Sequence, residues 1–412
     1  MNYNFKSVLF LGVGGVSMHQ LAISLKKLGV SVLGYDAKQS EYTKQCMDRG
    51  INITHKFNRN FLNVDICVRT GAIKDNNCWV KALKRLNVPI IDRAELLGWL
   101  ATKFKCVIAV AGTHGKSTTA SLIYEILRVA GKKVSCHIGA DVFASRFNLD
   151  DDYLVVEACE YNKSFLSLYP NIAVITNVEP EHMDCYGSFY NLKNAFLTFI
   201  KRANTRFVME ERSTEYLKKH KNIIRVQSNN NLNSKLKGEH NAKNISLAVA
   251  VAKKLKIDEV VINQVVSSFK GVPRRYEHIG NYGKTKIYID YAHHPTEINA
   301  FVSTFNKEYS NSLIVFQPHT YSRTKNLFYE FVSVFSNVKN LIIFKEYPAR
   351  EKKWQGKSAF ELFRELEVYD INVVYASNVK QILKNINKFE AVAFVGAGDI
   401  NKVAEKIVER NL

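Results

Sequence analysis

The chain has 412 residues, 46% of them hydrophobic and 23% charged, the balance of a globular protein of two to four domains at ~100–200 residues per domain. Lys plus Arg total 58 against 38 Asp plus Glu, a formal charge of +20, but the positive residues are scattered. That distribution argues against a nucleic-acid partner and suits phosphorylated small molecules. Seven cysteines with no C-x-x-C pair argue against a disulfide framework or a structural zinc site and point to the cytoplasm. No stretch of ~20 apolar residues appears, so no membrane partner is expected.

In chain order, "SVLFLGVGG" predicts a buried strand and its turn, "VSMHQLAISLKKLG" an amphipathic helix, and "VSVLGYD" a second strand. This alternation predicts a parallel sheet with crossover helices. The turn Gly12-x-Gly14-Gly15-Val16-Ser17-Met18 lacks a third fingerprint glycine. Asp36 ends the second strand, where a ribose acceptor belongs. From these residues alone, a nicotinamide dinucleotide and a general phosphate ligand both remain open. "NVDICVRTGAI" and "NVPIIDRAELLGWLA" continue the same pattern.

A second segment opens with "KCVIAVAGTHGKSTTASLIYEIL". An apolar strand runs into Gly112-Thr113-His114-Gly115-Lys116-Ser117-Thr118 and then a helical pattern. Glycines let backbone N–H groups close on phosphate, and the helix N-terminus adds positive potential. Lys116 would neutralise the β/γ-phosphates and Ser117 would ligate Mg2+. Val110 stands where the usual first glycine of such a loop falls. "DYLVVEACE" and "NIAVITNVEPEHMD" predict further strands ending in acids, Asn and His, and "EHNAKNISLAVAVAKKLK" a helix. From about Arg274, "KIYIDYAHHP", "SLIVFQPH", "NLIIFKEYPA", "INVVYAS" and "AVAFVGAGD" repeat the strand-then-polar pattern. Ligands of open α/β sheets sit beyond the strand carboxyl ends, where most of these clusters fall.

The loop "GTHGKST", followed by "TNVEPEHMD", "GEHNAKN", "GVPRRYE" and "DYAHHPTE", closely resembles the Mur ligases over essentially the whole chain. "FQPHTYSRT", "YPARE" and "VGAGDI" resemble the branch that handles L-alanine. The resemblance implies an α/β chain of three domains: a Rossmann-like UDP-sugar-binding domain at 1–104, a central P-loop ATPase-like domain with a parallel sheet at 105–273, and a Rossmann-like amino-acid-binding domain at 274–412. It implies ATP-dependent ligation of L-alanine to the lactyl carboxylate of UDP-N-acetylmuramate through an acyl phosphate, with ATP and two Mg2+ ions, Mn2+ being a substitute, in a monomer or weak homodimer.

Residue by residue, the resemblance assigns Gly12, Gly14, Gly15, Val16, Ser17, Met18, Asp36, Gly71, Ala72, His114 and Asn177 to the UDP-sugar. ATP falls to Gly112, Thr113, Gly115, Lys116, Ser117, Thr118, His240, Asn241, Arg275 and Asp290. Ser117, Glu157 and His182 match metal ligands, while Lys116, His182 and Arg275 match catalytic positions. His293, His319, Arg323, Tyr347 and Arg350 match the amino-acid pocket. Read bare, His240-Asn241 is equally the cap of the helix that follows, and Arg275 a hinge surface charge. Three departures stand out: Thr320 replaces an arginine, "EACEYNKSF" carries few acids, which leaves Glu160 a doubtful participant, and Thr70-Gly71 replaces a serine pair. Two alternatives remain: a recycling ligase that adds a preformed tripeptide, against which the "FQPHTYSRT" pocket argues, and a non-catalytic nucleotide-binding protein of the same fold.

Overall fold

The computed structural model describes residues 5–139, 147–220, 222–349, 351 and 357–409. They form an α/β chain with three sheets. The first holds β1 (Ser7–Leu11), β2 (Ser31–Tyr35), β3 (Asn52–Thr54), β4 (Ile66–Arg69) and β5 (Ile90–Asp92), in the order β3-β2-β1-β4-β5. Every pairing in it is parallel.

The second sheet holds β6 (Cys106–Ala111), β7 (Val134–His137), β8 (Tyr153–Glu157), β9 (Ile172–Ile175), β10 (Thr205–Met209) and β11 (Ile223–Val226), in the order β11-β10-β9-β6-β8-β7. It too is wholly parallel. β6 is central: Ile108 pairs with Val155 of β8 on one side and Ile172 of β9 on the other. Its run of five buried residues reads as a continuous apolar stretch because both faces are covered by packed elements.

The third sheet holds β12 (Glu277–Tyr282), β13 (Thr285–Asp290), β14 (Ser312–Phe316), β15 (Asn340–Phe344), β16 (Asn372–Ala376) and β17 (Ala391–Val395), in the order β12-β13-β17-β14-β15-β16. The sequence predicts its first strand at "KIYIDY"; the structure adds β12 before it, antiparallel to β13, with a register shift between His278 and Gly280. β12 exposes His278 and Asn281 and has no fully buried residue, so it lacks the apolar run that marks the interior strands. The remaining pairings are parallel.

The chain forms two compact units. One comprises residues 1–233 and 243–269, the other 234–242 and 270–412. In the first unit a single apolar cluster runs from Val8 and Phe10 through Leu97 and Phe104 to Val107, Phe165 and Phe196, so the first two sheets share a core. In the second unit, aromatic residues including Phe301, Phe305, Phe316, Phe331 and Phe335 fill one face of the third sheet. Among the described residues no helix is long and apolar enough to cross a membrane.

The shared core of the first unit makes a specific demand at Gly98, on the helix Arg93–Ala101. A Cβ there overlaps the backbone carbonyl of Ser167. Helix propensity alone favours alanine by ~1 kcal/mol, but overpacking against an immobile backbone costs more, leaving Gly98→Ala a net ~1–2 kcal/mol less stable. A thermal melt should show Tm lowered by ~2–6 °C. Gly71→Ala, whose Cβ meets nothing within 4 Å, is the control; an equal shift in both variants refutes the packing argument.

Candidate active site

The most developed polar cluster lies at the carboxyl ends of β6, β8 and β9. The loop after β6 turns through Gly112 at φ 143° and Gly115 at φ 81°. Both values lie where side chains are strained. Space is also closed: a Cβ on Gly112 meets the Thr176 hydroxyl, and one on Gly115 the Asn244 amide. The loop thus lies flush against its neighbours, with Thr113 N–H donating to Asn177 O at 3.1 Å, and leads into the N-terminus of the helix Lys116–Val129.

Lys116 folds back into this loop. Its Nζ donates to the carbonyls of Gly112 at 2.6 Å and Thr113 at 3.0 Å, and lies 3.0 Å from a Glu160 carboxylate oxygen. Burial opposes the charge, but Glu160, with Glu157 and Glu181 farther off, holds the ammonium above its ordinary pKa. Lys116 is therefore a cation at any physiological pH. Thr118 is buried in the first turn of the same helix.

Ser117 and Glu157 meet directly: the hydroxyl donates to Glu157 Oε2 at 2.9 Å, and Gly139 N–H donates to the same oxygen at 3.0 Å. Beside them, Glu160, Glu181 and His182 place one ligand atom each within 4.8 Å of one another. His182 adopts a left-handed backbone (φ 56°) at the start of Met183–Tyr186, and Tyr161 packs edge-on against its ring. The first pair offers hard oxygen donors and the second set mixes carboxylates with imidazole; both fit Mg2+ or Mn2+. Glu160, doubtful from sequence, is nearly fully buried and touches both Lys116 and His182. Its signal was the second acid of "EACE".

Asn177 and His114 come together, but through the backbone. Asn177 Oδ1 accepts from His114 N–H at 2.8 Å, and its Nδ2 donates to His114 O at 3.1 Å. Asn177 is thus a brace for the loop. The His114 ring lies 3.6 Å from Glu179, a residue not singled out from sequence.

At the first sheet, Gly12 N–H and Val13 N–H donate to Tyr35 O. Asp36 accepts from Gly14 N–H at 2.9 Å and Lys38 N–H at 3.2 Å, so its carboxylate shapes the turn. Gly15 caps the helix that starts at Val16. Met18 is buried in the core and presents no side chain to a ligand. Thr70, ahead of exposed Gly71 and Ala72, lies against Gly12. Ser17 makes contacts that local sequence does not reveal: His137 Nε2 at 2.7 Å and an Arg93 N–H at 3.0 Å. Burial, with Arg93 and His19 nearby, pushes His137 down to about 3, so its ring is neutral.

The second unit gathers its polar residues at the carboxyl ends of β13, β17, β14 and β15. Asp290 accepts from Tyr276 N–H and Ala292 N–H, both at 2.7 Å. Burial pushes its carboxyl up to about 6, against the opposing pull of Arg275 and these two N–H groups. Arg275 reaches Glu297 at 3.4 Å and lies over the Tyr291 ring. Arg274 packs on Tyr291 too and donates to Gly396 O and Gly398 O at 3.1 Å. His293 Nδ1 lies 3.0 Å from Tyr291 O.

His319 stacks on Tyr347 with ring centroids 5.6 Å apart, and Arg323 donates to its Nδ1 at 3.2 Å. Burial and then Arg323 push His319 down to about 4, leaving a neutral acceptor. Thr320, the residue in place of an arginine, caps the helix Tyr321–Asn326 through its hydroxyl. Gln317 ties this edge to "VGAGD" through Asp399 at 2.9 Å. Exposed His240 lies against Gly238, and Asn241 donates to Lys237 O at 2.7 Å; this segment belongs to the second unit. Arg350 lies outside the described residues.

The chain matches three family models: the Mur ligase family catalytic domain at 7–105, the Mur ligase middle domain at 110–231 and the Mur ligase glutamate ligase domain at 274–398. It is 35% identical to the UDP-N-acetylmuramate–L-alanine ligase of Caldicellulosiruptor bescii, over 97% of this chain and 98% of that one. Against the enzyme of the same name from Caldanaerobacter subterraneus identity is 34%, over 99% and 98%. Among solved structures, the UDP-N-acetylmuramate–alanine ligase of Thermotoga maritima superposes with a TM-score of 0.82 at 23% identity, over 99% of both chains. A murein peptide ligase from Psychrobacter arcticus gives 0.69 at 20% identity, over 98% of both. With relatives at this identity over their full length, the chain belongs to the Mur ligase family.

Proposed function

We propose that this chain is a cytoplasmic ATP-dependent ligase that joins L-alanine to the lactyl carboxylate of UDP-N-acetylmuramate, the first amino-acid addition of peptidoglycan precursor synthesis. The observation that carries the reading is the central loop: a mostly buried lysine held by two loop carbonyls at a helix N-terminus, with Ser117–Glu157 and Glu160–Glu181–His182 beside it. The choice of amino acid is supported by the names of the full-length relatives. We assign residues 1–104 to the UDP-sugar, 105–273 to ATP and 274–412 to the amino acid.

The chemistry follows from the weakness of a free carboxylate as an acyl donor. The lactyl carboxylate attacks the γ-phosphorus of ATP in line, giving an acyl phosphate and ADP. The amine of L-alanine then attacks the acyl carbon, and the tetrahedral species expels phosphate. Lys116 releases its loop carbonyls and turns to the β/γ-phosphates, while the N–H groups at the start of its helix bind the phosphate oxygens. Glu157 and Ser117 would hold one Mg2+, and His182 with Glu160 and Glu181 a second; bound there, the cations offset the charge of two approaching anions. Arg275 is assigned to the γ-phosphate, Asp290 to the ribose, and His240 and Asn241 to the base. Arg323, beside neutral His319 and Tyr347, is assigned to the alanine carboxylate, which leaves the amine free to react. Positioning and charge neutralisation supply most of the rate.

The test is phosphate release from ATP, Mg2+ and UDP-N-acetylmuramate with L-alanine or with a preformed tripeptide. Turnover with alanine alone supports the reading, and turnover with tripeptide alone replaces it with the recycling ligase. Lys116→Ala should lower phosphate release by ~10²–10³-fold while UDP-N-acetylmuramate affinity, measured calorimetrically, stays within about threefold. Undiminished turnover in that variant removes Lys116 from the mechanism.

Asp290 adds a pH dependence. Its carboxyl titrates near 6, so it is mostly ionised at pH 7 and mostly protonated at pH 5, where it accepts ribose hydroxyls less well. The KM for ATP should therefore rise as pH falls from 7 to 5, by about tenfold at most. Asp290→Asn should give a raised KM that is flat over this range; a slope matching wild type would assign the effect to another group.

A further inference from the structure

We infer that Glu297 is a positioning residue that ties the arginine assigned to ATP to the pocket assigned to the amino acid. The inference rests on the function proposed above. Glu297 lies in the first turn of the helix Pro295–Glu308, and its side chain is only 10% exposed. Each of its two oxygens meets a residue of the site. Oε1 accepts from the Arg275 guanidinium at 3.4 Å. Oε2 accepts from His293 N–H at 3.2 Å and lies 3.4 Å from His293 Nδ1.

The line continues beyond His293. Its ring lies 6.2 Å from that of His319, inclined at 60°. His319 accepts from Arg323 and stacks on Tyr347. One carboxylate therefore fixes Arg275 at one end and, through His293, the wall against which His319 and Arg323 are arranged.

A guanidinium on a flexible stem has many rotamers, and ordering it during the reaction costs rate. Glu297 on one side and the Tyr291 ring, 5.2 Å away, hold Arg275 in place beforehand. The plain alternative is that Glu297 is a helix-terminal acid that complements the helix dipole. Such an acid contributes to stability and has no reason to affect the amino acid more than the sugar nucleotide.

The experiment uses the full chain with ATP, Mg2+, UDP-N-acetylmuramate and L-alanine, and compares wild type, Glu297→Gln and Glu297→Asp for kcat, the three KM values and Tm. In E297Q, kcat should fall ~10-fold or more and the alanine KM rise ~5-fold or more, with the UDP-N-acetylmuramate KM within ~2-fold of wild type. E297D, which keeps the charge on a shorter stem, should recover part of the kcat, and it reads the same split if E297Q does not fold. E297Q combined with Arg275→Lys should lose clearly less than the product of the two single losses. Wild-type turnover in E297Q, an unmoved alanine KM, or three KM values rising together with a lowered Tm overturns the inference alone. A wild type that forms no ADP from these substrates removes the proposed function and this inference with it.

Discussion

A positive charge held nearly out of water organises the central loop. Lys116 has 14% of its side chain exposed, and an ammonium taken that far from solvent is costly unless carbonyls and a carboxylate surround it. The loop glycines exist in that light: they let the chain curl until two of its own carbonyls point at Nζ. Glu160 completes the shell and, being buried itself, depends on Lys116 in return. The same carboxylate faces His182, so the charge that balances the lysine also belongs to a candidate cation site. Loop, lysine and acidic cluster form one electrostatic unit.

Parallel strands explain why such units recur. In a parallel sheet every strand delivers its carboxyl end to the same edge, and the next residues must leave that edge as loops. β6, β8 and β9 deliver Gly112, Glu157 and Thr176-Asn177 side by side, although these residues are far apart in sequence. β13, β14 and β15 do the same for Asp290, His319 and Tyr347. Apolar interiors such as the Phe-rich face of the third sheet keep the strands in register, and the polar chemistry is confined to their ends.

That confinement decides what the sequence reveals. The loop around Lys116 is legible because its residues are consecutive and each type has one role: glycine for the turn, lysine for charge, serine for oxygen. Most strands are legible as apolar runs; β3, β7, β10, β11 and β12, which are short or interrupted by polar residues, are not. Partnerships across the fold are not legible. Nothing near Ser17 announces Arg93 or His137, which come from another sheet edge and another strand. Asn177 reads as a supporting site residue, but nothing near it in sequence announces that its amide braces the backbone of His114, 63 residues earlier. Thr320, which departs from the family pattern, is explained by the helix it caps, a local role that a comparison of pocket residues overlooks.

The antiparallel edge of the third sheet has its own consequence. Arg274, Arg275 and Tyr276 lead into β12, and Asp290 ends β13, so the hairpin folds its two ends onto each other. Tyr276 N–H meets the Asp290 carboxylate, and Tyr291 N–H meets Arg274 O at 2.7 Å. The one-residue bulge at His278 to Gly280 sets that alignment from within the ladder. The distant tip at Gly283 therefore acts as a ruler: a change there that shifts the pairing of the two strands by one residue would slide the arginines past the acid. The tip's composition is constrained as well as its length, because Gly283 sits at φ 60°, where other residues are strained.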